Sequence, residues 1–303
     1  MDKILDGSKS TLYMSCHQPL HNGQGMDIFG DRAYILYDTG VCGVFDLKTR
    51  DPRPVGVFQL GSYNNGKPTR DYLNHANSCM FSTVHKDGNP IPLLYVTIGT
   101  GIGTDENGYF YRCAVENIVE QDEGMFTAET VQTISYVPEG KIPEGFEHPC
   151  WGSPCFLVDN DAGFLYMFSA RYRTKAGCVP EGEQNAYIIT KFPLPDPEKG
   201  GMIHLYPEDI LDQFSVPSDV LFTQGGTIAG GKLYYTYGYP KGGYPLHILV
   251  FDLHSKTLCT HIENLTEVFR GEEIECCGVY GKQFLCNTCN GSIFKIEEGL
   301  LPL

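Results

Sequence analysis

The side chains best suited to chemistry lie in five short segments that are far apart along the chain. Each segment is polar and stands directly before a short run of small or apolar residues. They are His21–Gln24, Asn74–Asn77, Glu147–Trp151, Thr223–Gln224 and Glu272–Glu275. The set contains three of the nine histidines, with several amides and carboxylates. It could serve one site only if the fold brings the five segments together.

One chemistry that this set could perform is the binding of a divalent metal ion. The candidate ligands are His21, His75 and His148 with Gln224 or Glu275. Imidazoles with one oxygen donor suit zinc, manganese or iron. The residue types are similar to the axial metal sites of some propeller lyases, but those proteins have seven blades.

A second chemistry is the binding of a carbohydrate or a related small polar ligand. Trp151 would provide an apolar stacking plate, and further contacts would come from polar residues of the same segments, which are His21, Gln24, His75, Asn77, His148, Gln224 and Glu275. Arg171, Arg173 and Tyr239 would add bidentate recognition of a carboxylate and stacking on a sugar face. A uronic or sialic acid would suit this mixture. Alternatively, these Arg and Tyr side chains only cover the rim of the fold.

Catalysis of glycoside hydrolysis would require two carboxylates roughly 5–10 Å apart. Glu147, Glu273 and Glu275 are the candidates, and the sequence does not give their separation. The competing interpretation is that all of these polar groups merely satisfy buried backbone groups and waters.

An internal repeat indicates which elements carry the polar segments. Residues 24–37 and 224–237 follow the same strand–turn–strand pattern, and each then reaches Val-Phe-Asp-Leu, at 44–47 and 250–253. Two such units far apart in one chain are typical of a β-propeller. Further copies of the pattern begin near residues 77, 151 and 275. We therefore predict an all-β fold, a single five-bladed β-propeller over residues 1–303.

The remaining strands of each blade can also be placed. Third strands are predicted at Gly43–Leu47, Tyr109–Val115, Ala186–Phe192, His247–Leu253 and Ser292–Ile296. Fourth strands are predicted at Pro54–Leu60, Thr130–Tyr136, Met202–Tyr206 and Leu258–Asn264. The last blade has no room for a fourth strand before Leu303, so residues 10–16 should close it and remove the free edge. A helical turn or two is expected only at Pro207–Phe214.

Propeller geometry brings the five polar segments together. All inner strands start on the same face of the ring, so the residues before them converge on the mouth of the central channel. The loops between second and third strands open on that face too. The axial mouth is therefore the predicted functional site.

Composition excludes several classes of partner. A formal net charge of −15, with 22 basic residues spread thinly, argues against nucleic acid. No apolar stretch approaches the length of a membrane-spanning helix, so no membrane partner is expected. The twelve cysteines suit reduced core thiols and the N-terminus lacks a signal-peptide core, which favours a cytoplasmic location. A mature secreted form, numbered after signal removal, is the alternative.

The only cysteine pair with metal-like spacing is Cys286 and Cys289. Without a second pair it is a weak zinc or redox signal. The Asn290-Gly291 dipeptide that follows predicts a hairpin turn instead.

Several short motifs resemble a group of bacterial β-propeller proteins of about this length, common in gut anaerobes. They are His75-Ala-Asn-Ser, Asn89-Pro-Ile-Pro-Leu-Leu-Tyr-Val-Thr, Tyr111-Arg-Cys, Gln224-Gly and Gly231-Lys-Leu-Tyr. The resemblance covers most of the chain and implies a propeller. That group has no established activity, so no catalytic residue follows from it.

The sequence thus predicts a propeller that binds a carbohydrate or a related small polar ligand at its axial mouth. A glycoside hydrolase or a metal-dependent polysaccharide lyase is one alternative. A protein–protein interaction scaffold is another, because fold does not determine function. Whether the protein is an enzyme, and whether it holds a divalent metal ion, both stay open at this point.

Overall fold

The computed structural model describes residues 3–20, 22–38, 40–63, 78–98, 110–149, 151–172, 179–218, 222–301 and 303, without the side chains of 110, 111, 152 and 153. Within these ranges the chain forms 22 β-strands in five sheets, and its helices are single 3-10 turns. None of the described helices is long and apolar enough to cross a membrane.

Each blade is one sheet, in which successive strands lie progressively farther from the axis. Blade 1 consists of β3 (Gly23–Phe29), β4 (Arg32–Tyr37), β5 (Val41–Asp46) and β6 (Gly56–Gln59). Blade 2 consists of β7 (Cys79–Phe81), β8 (Leu94–Ile98), β9 (Phe110–Asp122), β10 (Met125–Tyr136) and β14 (Gly201–Leu205). Blade 3 consists of β11 (Trp151–Asp159), β12 (Phe164–Ala170), β13 (Ala186–Pro193) and β15 (Asp212–Pro217). Blade 4 consists of β16 (Thr223–Ala229), β17 (Lys232–Tyr239), β18 (Tyr244–Asp252), β19 (Thr257–Glu263) and β1 (Lys3–Asp6). Blade 5 consists of β20 (Ile274–Tyr280), β21 (Gln283–Thr288), β22 (Ser292–Lys295) and β2 (Thr11–Ser15).

The inner strands of the five blades form a closed ring. Strand β3 contacts β7 and β20, β11 contacts β7 and β16, and β16 contacts β20. The predicted five-bladed β-propeller is therefore confirmed. The inner strands of blades 1, 3, 4 and 5 begin within one residue of the positions that the repeat predicted.

The repeated turn between inner and second strands explains why the pattern recurs. β3 and β4 are joined through Gly30, β16 and β17 through Gly230, and β20 and β21 through Gly281. All three glycines have positive φ, between 55° and 60°. Two-residue hairpin turns that match the twist of the strands need this conformation, which glycine adopts without a steric penalty.

The N-terminal segment closes the ring at two blades. Strand β2 pairs antiparallel with β22, Thr11 opposite Lys295 and Ser15 opposite Ser292, which confirms the predicted closure of blade 5. Strand β1, just before it, pairs in parallel with β19 and covers the outer edge of blade 4. Gly7 links the two strands, and a Cβ atom there would lie 2.5 Å from Leu265 Cδ2. This crossing therefore depends on glycine.

The prediction that Met202–Tyr206 is the fourth strand of blade 3 is wrong. Strand β14 pairs in parallel with β10 and adds a fifth strand to blade 2. The fourth strand of blade 3 is β15, whose first half lies in the segment predicted to be helical. Only Pro207–Asp209 forms a 3-10 turn. Outer strands are half exposed, so their local pattern does not specify the sheet that they join.

Apolar side chains fill the spaces between neighbouring blades. Phe168 of blade 3 stacks on Tyr235 of blade 4 with ring centroids 3.7 Å apart, and Phe58 of blade 1 stacks on Phe126 of blade 2. The ten described cysteines are free thiols and all except Cys259 are buried, as expected for reduced core residues. The apolar core of this fold therefore lies between the sheets of neighbouring blades.

A buried carboxylate ties blade 1 to blade 2. Glu116 of β9 is fully buried and accepts hydrogen bonds from the backbone N–H groups of Gly61 and Ser62, at 3.0 and 2.9 Å. It also accepts one from the Thr130 hydroxyl at 3.1 Å. Gly61 lies against β10, where a Cβ atom would be 2.4 Å from Thr130 N. These bonds hold the turn that follows β6 against the neighbouring blade.

Candidate functional site

Four of the predicted site residues lie at one end of the axis, where the inner strands begin. Trp151 is the first residue of β11, while Gln24, Gln224 and Glu275 are the second residues of β3, β16 and β20. We call this end the entrance mouth. These four residues are arranged as the repeat predicted, since each of them opens an inner strand.

The entrance mouth contains, between blades 4 and 5, a cluster of Gln224, Glu273, Glu275 and Cys289. Gln224 Nε2 donates a hydrogen bond to Glu273 Oε1 at 2.6 Å. One carboxylate oxygen of Glu273, one of Glu275 and the sulfur of Cys289 all lie within 4.8 Å of one another. Cys289 comes from the hairpin between β21 and β22, so second-to-third-strand loops do contribute to this mouth. We call these four residues the axial cluster.

The axial cluster contains a carboxyl group with a raised pKa. Burial and the charges of Glu273 and Asp38 hold the pKa of the Glu275 carboxyl group well above its usual range. Burial and the neighbouring Glu275 also raise the pKa of the Cys289 thiol to about 11. Glu275 therefore combines a raised pKa with a position next to Glu273, a second carboxyl group that accepts a hydrogen bond from an amide.

The surroundings of the cluster are held by further amides. Gln24 is buried, and its main-chain carbonyl accepts a hydrogen bond from Asn287 Nδ2 at 2.7 Å. Gln18 Nε2 donates to the carbonyl of Cys289 at 3.0 Å. Asn22 Nδ2 lies 3.4 Å from Asp38 Oδ2 at the end of the β4–β5 hairpin. These contacts fix the backbone at the places where blades 1 and 5 meet.

An aromatic group stands beside the axial cluster, formed by Phe222, Tyr239 and Tyr244. The ring of Phe222 stacks on Tyr239 at 5.2 Å and lies 4.4 Å from the ring of Tyr244. Phe222 is 39 % exposed and has a φ of 54°, a costly conformation for a bulky residue. Its carbonyl accepts from the N–H of Gly238, whose own carbonyl lies 3.5 Å from Gln224 Nε2. We call these three residues the aromatic rim.

Sequence reasoning identified Tyr239 of the rim and missed Phe222, Tyr244 and Cys289. Two of them carried usable signals. Phe222 stands immediately before the predicted polar segment Thr223–Gln224. Cys289 lies in a loop between a second and a third strand, the kind of loop expected at this mouth. The Cys286–Cys289 spacing does not build a metal site, because Cys286 packs in the apolar core between blades 4 and 5.

Two of the predicted site residues, Arg171 and Glu147, form an ion pair. Arg171 donates to Glu147 from Nε at 2.6 Å and from Nη2 at 2.7 Å. Arg171 also donates to the carbonyl of Gln184. The guanidinium expected to recognise an anionic sugar is therefore engaged by one of the expected catalytic carboxylates.

The other predicted residues of blade 3 also have partners in the fold. Nδ1 of His148 forms a hydrogen bond with the Tyr136 hydroxyl at 2.9 Å. In the part of the chain that the structure describes, His148 belongs to no group of three metal-ligating side chains. Trp151 is half-buried and packs against the core around blade 3. The remaining predicted site residues, His21, His75, Asn77 and Arg173, lie outside the described residues.

The opposite end of the axis has a cavity of about 340 Å³. All five blades contribute to its lining, with residues that include Asp27, Phe81, Asn160, Ile228 and Val279. Burial raises the pKa of Asp27 to about 7, and its Oδ2 accepts a hydrogen bond from Phe81 N at 2.6 Å. Most of the lining side chains are apolar, unlike those of the entrance mouth.

Comparison with known proteins supports the class of fold. No protein-family model matches the chain, and no curated protein sequence matches it. Among solved structures, the crystal structure of Myxococcus xanthus glutaminyl cyclase, a propeller, is similar with a TM-score of 0.50. The match covers 99% of this chain and 98% of that chain at 12% sequence identity. At this identity the match shows the fold, a five-bladed β-propeller, and nothing about activity.

Proposed function

We propose that the protein binds a carbohydrate or a related small polar ligand at the entrance mouth. The observation that supports this most is that the aromatic rim of Phe222, Tyr239 and Tyr244 is joined to the axial cluster through Gly238, which bonds both Phe222 and Gln224. Aromatic faces pack against the C–H face of a sugar, while amides and carboxylates bind its hydroxyl groups. Ligand sites commonly combine apolar surface with a few fixed polar groups.

The charge of the mouth narrows the class of ligand. The charges of Glu273 and Asp38 both contribute to the raised pKa of Glu275, so this part of the mouth carries negative charge. Arg171, which would have attracted a carboxylate, is paired with Glu147. A neutral or amine-bearing ligand therefore suits the described part of the mouth better than a uronic or sialic acid.

Binding should depend on the axial cluster and on the aromatic rim. We expect Glu273→Gln and Phe222→Ala each to weaken binding of the best glycan from an array by at least about tenfold, the loss expected from removing one good polar or stacking contact. The matched control is Glu139→Gln, which makes the same chemical change on an exposed residue. Isothermal titration calorimetry would measure the affinities. Wild-type protein that binds no neutral or amino sugar, or variants that bind as wild type, would refute the proposal.

An enzyme is the second candidate, favoured by the raised pKa of Glu275 and its position beside Glu273. A carboxyl group with a raised pKa beside a second carboxyl group is typical of acid–base catalysis. In glycoside hydrolysis Glu275 would protonate the leaving oxygen, and Glu273 would act at the anomeric carbon or on water. The match to a glutaminyl cyclase suggests another form of this candidate. In the cyclisation of an N-terminal glutamine, Glu273 would take a proton from the attacking amine, while Glu275 would give one to the departing ammonia.

The two enzymatic forms can be separated by their products. A reducing-end assay on glycans detects hydrolysis, and ammonia release from peptides with N-terminal glutamine detects cyclisation. In either case we expect Glu275→Gln to lower turnover at least about 100-fold, the lower end of a general acid's contribution. Activity that is absent from wild type in both assays, with sugar binding intact, would leave the binding function alone.

A further inference from the structure

A second group of metal-ligating side chains lies in blade 4, apart from the axial cluster. It consists of His247 in β18 with His261 and Glu263 in β19. Each residue offers one ligand atom, and these three atoms all lie within 4.8 Å of one another. His261 Nε2 is 2.8 Å from His247 Nδ1, and His261 Nδ1 is 3.8 Å from Glu263 Oε1.

The pairing of the two strands places these side chains on one face of the sheet. Ile248 is opposite Ile262, and Leu249 is opposite His261. Side chains alternate between faces along a strand, so His261 and Glu263 share a face with His247. Ile248 and Ile262 point to the other face and are fully buried. The core on that face fixes the two strands, and with them the spacing of the three polar side chains.

We propose that His247, His261 and Glu263 form a binding site for a divalent transition-metal ion, with zinc as the expected occupant. Two imidazoles and one carboxylate are a ligand set that zinc accepts, with a fourth position left to water. The side chains of His261 and Glu263 are 26% and 37% exposed, so an ion can reach them from solvent. The proposal does not rest on the function proposed for the entrance mouth.

The two imidazoles are already nearly positioned as ligands. Their ring centroids are 4.6 Å apart, and the ring of Tyr237 lies 5.6 Å from that of His247. In tetrahedral zinc sites with Zn–N bonds of about 2.0–2.1 Å, two ligand nitrogens stand about 3.3 Å apart. The His247–His261 nitrogen distance of 2.8 Å must therefore open by about 0.5 Å, which a small rotation of one ring provides.

An ion at this position would stabilise the closure of the ring by the N-terminal segment. Glu263 is the register partner of Asp6, the last residue of β1, and its carbonyl accepts a hydrogen bond from Gly7 N at 2.9 Å. Zinc bridging β18 and β19 would fix the edge to which β1 attaches. An ion that binds only the folded state raises the melting temperature.

The test uses full-length protein without a histidine tag, freed of metal with EDTA and then dialysed. We expect Zn²⁺ titrated by calorimetry to bind at near one equivalent and to raise the melting temperature. We expect Co²⁺ to give visible ligand-field bands of a low-symmetry, four-coordinate site. His261→Ala removes a ligand and should weaken Zn²⁺ binding by more than about 100-fold, beyond the effect of losing a residue that only orients a ligand.

Three further variants keep the result interpretable. Glu263→Gln preserves the shape of the side chain and should also weaken Zn²⁺ binding, which covers the case in which His261→Ala fails to fold. His254→Ala changes an exposed histidine in the β18–β19 turn of the same blade and should bind as wild type. Glu273→Gln in the axial cluster should leave Zn²⁺ binding unchanged. Wild type without Zn²⁺ binding, binding that survives both His261→Ala and Glu263→Gln, or binding lost only in Glu273→Gln would overturn the proposal.

Discussion

Arg171 binds both carboxylate oxygens of Glu147, through Nε at 2.6 Å and Nη2 at 2.7 Å. The pair joins the segment before β11 to the end of β12 within blade 3. Gln213 of β15 adds a hydrogen bond from its Nε2 to the carbonyl of Glu147 at 2.9 Å. Both charged residues therefore have a structural role, because each compensates the charge of the other within blade 3.

The first prediction concerns this pair. Glu147→Gln should lower the free energy of unfolding by about 1 kcal/mol, because a well-aligned bidentate pair that is only half-buried contributes about that much. It should leave glycan affinity unchanged. Urea unfolding and calorimetry would check the two results. Arg53→Ala breaks a bidentate pair of the same chemistry that is exposed to solvent, and it should not measurably change stability.

The second prediction concerns the buried Glu116. Glu116→Ala should lower the free energy of unfolding by about 3 kcal/mol, because it leaves the N–H groups of Gly61 and Ser62 without their acceptor. Chemical denaturation would measure the loss. Glu139→Ala, at an exposed position, is the matched control and should be nearly neutral. Equal stability of the two variants would show that Glu116 does not tie blades 1 and 2 together.

The third prediction is a pH dependence that originates at Asp27. Burial raises the pKa of Asp27 to about 7 from an ordinary value of 3.8, so between these values the folded state binds more protons than the unfolded state. The stability that this proton contributes is complete below about pH 4 and is lost as the pH rises through about 7. Glu275 acts with the same sign because its pKa is also raised.

Asp27→Asn tests this dependence directly. Asparagine keeps an oxygen for the N–H of Phe81 and cannot ionise, so the variant should be more stable relative to wild type at pH 8 than at pH 5. The free energy of unfolding measured across this range would show a shallower fall for the variant. Parallel curves for the two proteins would contradict the raised pKa of Asp27.

The fourth prediction concerns the closure of the ring at Gly7. Gly7→Val should lower the free energy of unfolding by about 1–3 kcal/mol, the usual cost of overpacking, because the new side chain would collide with Leu265 and Ile262. It should also expose the N-terminal segment to limited proteolysis. Lys9→Val introduces the same side chain at an exposed position two residues later and should do neither.

The blade pattern could be predicted because its determinants are local. Alternation of apolar residues, the glycine turns after β3, β16 and β20, and the repeated Val-Phe-Asp-Leu each depend on only a few neighbouring residues. The closure by residues 11–15 followed from the need to cover the last free edge. Because inner strands of a propeller start on one face, Gln24, Gln224 and Glu275 could also be placed at the entrance mouth.

Only the tertiary structure decided which side chains meet. The partners of β14 and β15 depend on which sheet edge each strand reaches, and the Arg171–Glu147 pair depends on two segments that are not adjacent in sequence. The group of His247, His261 and Glu263 depends on a register shift between Val250 and Phe251 in the pairing of β18 with β19. Such a shift changes which side chains lie opposite one another, and local sequence carries little information about it. The sequence by itself therefore determined the blade repeat and the order of the blades around the axis, whereas the contacts between strands and blades determined the partners of the outer strands and the chemistry at each site.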